Sequence, residues 1–159
     1  MNFRGTVTGL DRFLASLPYL LPLSSVLSVF VLVAGLWLGK DVMSPILSVI
    51  DVVSSLSSTF IGQYGGLIVF FGLYFLVVRN SKIKYFIRFH TMQSLLIVIA
   101  ASLVGLVFNL LSPGFGSLAG LLVSLPVAGA SIYSIFCAIM GNYGAIPAIS
   151  EAVESQLRF

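Results

Sequence analysis

The sequence predicts an all-α integral membrane protein with four transmembrane helices and an amphipathic helix between the first and second. Three observations predict it. Of 159 residues, 58% are apolar and only 8% charged, where a soluble domain carries about 25%. A soluble fold of this length could not bury so much apolar surface. Uncharged runs long enough to cross a bilayer alternate with short polar or turn-rich breaks. Four cations, Arg79, Lys82, Lys84 and Arg88, fall within ten positions between two apolar runs, the pattern of a membrane loop held on the positive side.

The elements follow in order. Residues 1–11 mix Arg4 with glycines and threonines and contain no short apolar core with a small-residue cleavage site. Either the chain inserts through its own helices, or a plastid targeting peptide has already been removed. Residues 13–39 carry no charge. Pro18 and Pro22 open this run, where the N–H groups of a first turn have no helical partner to lose. The first crossing is assigned to residues 20–38, with Trp37 and Lys40 at its exit, the indole at the interface and the amine among headgroups.

Residues 44–60 differ. Ser44, Ser48, Asp51, Ser55 and Ser58 recur at spacings of four and three, one face of a helix, while Ile46, Val49, Ile50 and Val53 cover the other. Ser44 before Pro45 reads as an N-cap followed by proline at the first helical position. This helix lies at the interface or lines a cavity, and its serines and Asp51 form a candidate polar face.

The second crossing spans residues 61–78 and leads into the basic loop. The third runs over 89–111, about 34 Å of helix and enough for the hydrocarbon core. Ser112-Pro113-Gly114-Phe115-Gly116 breaks it, sufficient for an antiparallel hairpin. The fourth, 117–140, carries Gly116, Gly120, Ser124 and Ala128 along one side, continued by Ser131 and Ala138. Such a seam of small residues lets a neighbouring helix approach closely. Pro126 should kink it. After a turn-rich exit, Ser150 is expected to cap a short surface helix bearing Glu151 and Glu154, acids suited to a first turn. With no linker or repeat, residues 1–159 form one membrane domain.

Four crossings put the N-terminus, the basic loop and the C-terminus on one side, with seven of the eight Lys and Arg residues; the other side has Lys40 alone. Both termini are therefore expected in the cytoplasm or stroma.

No enzyme chemistry is legible. A single histidine, His90, excludes two-histidine zinc motifs, and neither a nucleophile elbow nor a phosphate-binding loop occurs. No catalytic residue, metal ligand or cofactor is expected, and the lone Cys137 reads as a small packing residue. The pI near 9.2 reflects topology and anionic lipid rather than nucleic acid. Arg79, Lys82, Lys84 and Arg88, with His90 and Gln93 one turn apart beyond them, are candidate partner or lipid contacts; His90 and Gln93 read as an interfacial hydrogen-bonding pair.

Arg79-Asn80, Arg88-Phe89-His90 followed by Met92-Gln93, and Gly141-x-Tyr143-x-x-Ile146-Pro147-x-Ile149-Ser150-Glu151-Ala152 together resemble the twenty-kilodalton subunit family of the translocon at the chloroplast inner envelope. The opening Asp11-Arg12-Phe13 with Leu17-Pro18-Tyr19-Leu20-Leu21-Pro22 is similar to its cyanobacterial and algal members. The resemblance covers nearly the whole chain, in order. It implies a four-helix protein of the plastid inner envelope, or of the plasma membrane in a cyanobacterium, that helps preproteins cross as a channel or channel scaffold. Expected partners are other membrane subunits or further copies of the chain, preprotein substrates and anionic lipids. A conduit needs a polar lining without fixed charges, and a four-helix monomer is too small to enclose a wide pore. The alternative is a structural or assembly subunit of another photosynthetic or cyanobacterial membrane complex, with no conducting role.

Overall fold

A capping box opens the first helix. Thr8 Oγ1 accepts from the Asp11 main-chain N–H at 3.4 Å, and the Asp11 carboxylate accepts from the Thr8 main-chain N–H at 2.7 Å. Two N–H groups that the first turn leaves without helical partners are thereby satisfied. This helix, α1 (Gly9–Ser16), is followed by a 3₁₀ turn, Leu17–Tyr19. Helical backbone continues through residues 20–24, 26 and 27. The computed structural model describes residues 7–24, 26, 27, 44, 45, 48, 65–111, 116–144, 146 and 149–157.

Four further helices complete the described chain: α2 (Gly65–Leu73), which runs on as a π-helical turn, Tyr74–Val78; α3 (Tyr85–Leu111); α4 (Gly116–Met140); and α5 (Ile149–Leu157). Among the described residues there is no strand, so the fold is all-helical. Among the described residues two helices are long and apolar enough to cross a membrane, over Tyr85–Phe108 with mean hydropathy 2.2 and Leu122–Met140 with 1.9. Gly65–Val78 is apolar but shorter. Residues 28–43, 46, 47 and 49–64 lie outside the described set, and with them most of the expected first crossing, the start of the second and most of the amphipathic stripe.

Helix α3 begins at Tyr85, four residues before the expected start at 89. The Lys84 carbonyl accepts from both Ile87 N and Arg88 N, at 3.1 and 3.2 Å, closing a first turn that contains Arg88. Charge near this end weighs against the bilayer, not against the helix, and arginine is a good helix former. Helix α4 includes Gly116 and carries Pro126 in its interior. It ends in a Schellman motif: Asn142 N bonds to Cys137 O at 2.9 Å and Gly141 N to Ala138 O at 3.0 Å. Gly141 takes φ +77° there, the left-handed conformation that glycine adopts without steric cost. Ser150 does not cap α5. It lies inside that helix, with both its main-chain N and its Oγ bonded back to the Ile146 carbonyl.

Helix α3 is the hub and packs against α1, α4, α5 and the π turn. One apolar cluster joins Val78, Phe89, Met92 and Leu95 to Val153 and Leu157, which docks the buried face of α5. A second joins Tyr19 and Val26 to Ile97 and Val127, and a third joins Ala15 to Phe86 and Ala138. Apolar side chains on the opposite faces stay exposed, Leu103 and Leu110 on α3, Leu122 and Phe136 on α4. In a water-soluble protein such surface would be a liability; against lipid it is the expected outer face.

Candidate functional site

One turn of α3, His90 to Ser94, is buried at every position, and four of its five residues are polar. Polar groups hidden from water must be hydrogen-bonded, and here the partners come from three other segments. Tyr19 Oη lies 3.0 Å from His90 Nδ1, and His90 Nε2 lies 3.2 Å from the Asn142 carbonyl. A carbonyl can only accept, so Nε2 carries the hydrogen and Nδ1 receives the tyrosine O–H. The same hydroxyl donates to Gln93 Oε1 at 3.3 Å, so its one hydrogen is shared between the ring nitrogen and the amide oxygen. Gln93 Nε2 donates to the Gly144 carbonyl at 2.8 Å and to Ser134 Oγ at 3.4 Å, which fixes the orientation of its amide. Ser94 donates to the Pro18 carbonyl at 2.6 Å.

Aromatic rings close the site around His90. Phe86 and Phe89 meet the imidazole edge to face, with centroids 4.7 and 5.6 Å away, and Tyr143 stacks parallel at 6.5 Å. The exit segment after α4 must pass close by to reach these groups, and Gly144 makes that passage possible. A Cβ there would sit 2.9 Å from Cys137 Cβ. Among the described residues, no buried side-chain nitrogen or oxygen lacks a hydrogen-bond partner. The arrangement is therefore a closed joint tying the Pro18–Tyr19 turn, α3, α4 and the exit loop.

The cations of the loop divide. Arg79 and Lys82 are exposed. Lys84 pairs with Asp11, Nζ to Oδ2 at 2.6 Å, with its own side chain half exposed. That ammonium, with the Thr8 hydroxyl and main-chain N–H, holds the Asp11 carboxyl down at about 2. Arg88 donates its Nε to the Val78 carbonyl at 2.7 Å, taking up a main-chain acceptor at the end of the π turn. Arg12 reaches the end of α4, donating to the Ile139 carbonyl at 3.4 Å.

The candidate contacts of the basic stretch thus fall in three settings. Arg79 and Lys82 face outward, Lys84 and Arg88 make contacts within the chain, and His90 and Gln93 are buried inside the bundle. On α4, Ser124 is buried, Gly120 and Ala128 are half-buried, and Gly116 lies in the first turn. The buried stripe continues through Val127, Ser131, Ser134 and Ala138. Of the amphipathic stripe, Ser44 and Ser48 are exposed and have helical backbone, as does Pro45; Asp51, Ser55 and Ser58 fall outside the described residues. Among the described residues no group of three His, Cys, Asp or Glu could hold a metal. Sequence reasoning missed Tyr19, Ser94, Ser134 and the carbonyls of Asn142 and Gly144. It also missed α1, although Thr8-x-x-Asp11 is a capping-box signature.

The pattern described as "Chloroplast import apparatus Tic20-like" matches residues 10–153. The chain belongs to the Tic20 family. A Tic20 family protein of the cyanobacterium Synechocystis sp. is 33% identical over the full length of both chains. The Tic20 family protein Ycf60 of the red alga Pyropia yezoensis is 35% identical over 92% of this chain and 75% of its own. Protein TIC 20-I, chloroplastic, of Arabidopsis thaliana is 27% identical over 93% of this chain and 54% of its own. The match to the Tic20 family includes the whole of α3 and α4 and therefore the joint around His90.

Proposed function

We propose that this Tic20 family protein is a four-crossing membrane component of a preprotein translocon, helping proteins across the chloroplast inner envelope or its cyanobacterial counterpart, and that it acts as a scaffold for the channel. The observation that carries the scaffold role is the closed joint: His90, Gln93, Ser94 and Ser134 spend their polar groups on one another and on nearby main chain and Tyr19. A conduit presents polar groups to the passing chain, whereas these groups face inward and brace helices. The conduit then forms between this chain and partner subunits or further copies. The contacts of Lys84 with Asp11 and of His90 with Asn142 support a common side for the N-terminal segment, the basic loop and the C-terminal exit, with both termini stromal or cytoplasmic.

The test is purification of the tagged chain from its native membrane while a preprotein is arrested in transit. Recovery of membrane subunits together with the arrested preprotein supports the proposal. Recovery with photosynthetic complexes and no preprotein overturns it in favour of an assembly subunit. Presequence-sensitive conductance from the chain reconstituted alone, as a monomer, would overturn the scaffold role.

A further inference from the structure

The short helix α1 turns an apolar stripe away from the protein. Leu10, Phe13, Leu14 and Leu17 are 69%, 62%, 40% and 39% exposed, and with roughly 100° between successive residues they share one sector of the helix. A second sector, Asp11 and Ala15, is buried against the bundle. A third carries Arg12 and Ser16. Three sectors, one for protein, one apolar and one polar, describe a helix lying in a membrane surface rather than one crossing it.

We propose that α1 is an interfacial anchor, lying in the plane of the membrane with Leu10, Phe13, Leu14 and Leu17 sunk into the boundary between headgroups and acyl chains of an anionic leaflet. The occupant of the stripe is lipid for three reasons. The stripe runs directly into Leu20, 60% exposed, at the entry to the first crossing, so it continues a surface already facing acyl chains. At its far side stand Ile139 and Met140, exposed at the end of α4, where Arg12 binds the Ile139 carbonyl. Exposed cations at the same end, Arg79 and Lys82 on the loop that Lys84 ties to α1, suit anionic headgroups. Asp11, the acid of this helix, is paired with Lys84 and turned inward, so the inserted face brings no carboxylate toward lipid. The proposal rests on the membrane reading of the chain but not on a role in translocation.

Fluorescence quenching in the full-length protein tests it. Trp37 is the sole tryptophan, so Trp37→Phe provides a dark background into which Phe13→Trp or Ser16→Trp is introduced. The proteins are reconstituted into vesicles of phosphatidylcholine and phosphatidylglycerol, with acyl chains brominated near the headgroup or near the terminal methyl. Flotation with the vesicles establishes incorporation separately. Phe13→Trp should be quenched by roughly twofold or more by shallow bromine, less by deep bromine, and little by aqueous acrylamide. Ser16→Trp should show the reverse preference, acrylamide over bromine. Should Phe13→Trp fail to incorporate, Leu14→Trp reports on the same sector. Floating protein whose Phe13→Trp is quenched by acrylamide but not bromine overturns the anchor. So does protection from both quenchers, which would place a second copy or a partner protein over the stripe.

Discussion

The hydroxyl of Tyr19 sits 3.0 Å from Nδ1 of His90, and the two rings meet nearly at right angles with centroids 5.9 Å apart. Both side chains are fully buried. Removing the hydroxyl leaves His90 Nδ1 buried without a donor, at a cost of about 1–3 kcal/mol. Tyr19→Phe and His90→Leu are each expected to lower the thermal midpoint of the detergent-solubilised protein. The double variant should lose clearly less than the sum of the singles, because it removes both polar ends together. Additive losses would show that the two groups do not depend on each other.

Gly144→Ala is expected to destabilise the bundle more than substitution at an ordinary helical glycine. The new methyl would meet Cys137 Cβ at 2.9 Å, and that atom cannot swing away. Gly129, whose Cβ would meet nothing within 4 Å, is the control. Gly141→Ala should also cost stability, since its φ of +77° carries a penalty of about 1–2 kcal/mol for other residues and its Cβ would press on the Arg12 guanidinium at 3.1 Å. Melting curves of the three variants decide this.

Asp11 links stability to acid. Its folded-state value, about 2, lies below the ordinary 3.8. The Lys84 and Thr8 contacts therefore contribute stability that is fully present above the ordinary value and is lost as pH falls through about 2. Asp11→Asn should flatten that acid limb and lower stability at neutral pH by a small, salt-sensitive amount, since Lys84 is half exposed to solvent. Melting temperatures over the acid range, at low and high salt, provide the check.

Arg88→Lys should leave topology unchanged, because the positive charge remains. It should nonetheless lower stability by about 1–2 kcal/mol, as a lysine cannot place a planar N–H on the Val78 carbonyl as Nε does at 2.7 Å. Arg88→Gln should show at least the same loss. A lysine variant as stable as the parent would reduce Arg88 to a topological charge.

The proposed four-crossing arrangement makes its own prediction. Cysteines placed at Ser81 and Ser112 in a Cys137→Ala background should react with impermeant reagents from opposite faces of sealed vesicles. Labelling from one face would remove a crossing between them.

Much of the architecture was legible because hydropathy and breakers act locally. The Ser112–Gly116 break and the Gly141 exit delimit α3 and α4 to within a few residues, and the charge cluster marks the loop before α3. His90 and Gln93 could be singled out as polar residues at the head of an apolar helix. Their partners could not. Tyr19 is 71 residues away from His90, and the Asn142 and Gly144 acceptors are main-chain carbonyls, which every residue possesses and no sequence pattern flags. Arg88 was read as reaching outward for the same reason: its acceptor at Val78 is a carbonyl at a π turn that composition does not announce. The capping box at Thr8 and Asp11 is the exception, a local signal that was present and sufficient to find α1.

The separation between Tyr19 and His90 also sets an order of events during synthesis. Tyr19 leaves the ribosome long before His90, Gln93 and Ser94, and the Asn142 and Gly144 carbonyls follow about fifty residues later still. The Tyr19 hydroxyl is therefore made long before its partners, and its seat is complete only once α4 and the exit loop have been made. A nascent chain halted before residue 140 would hold all of α3 yet lack the acceptors for His90 and Gln93. The joint can therefore close only after the exit loop has been made, and every shorter chain leaves His90 and Gln93 without these two acceptors.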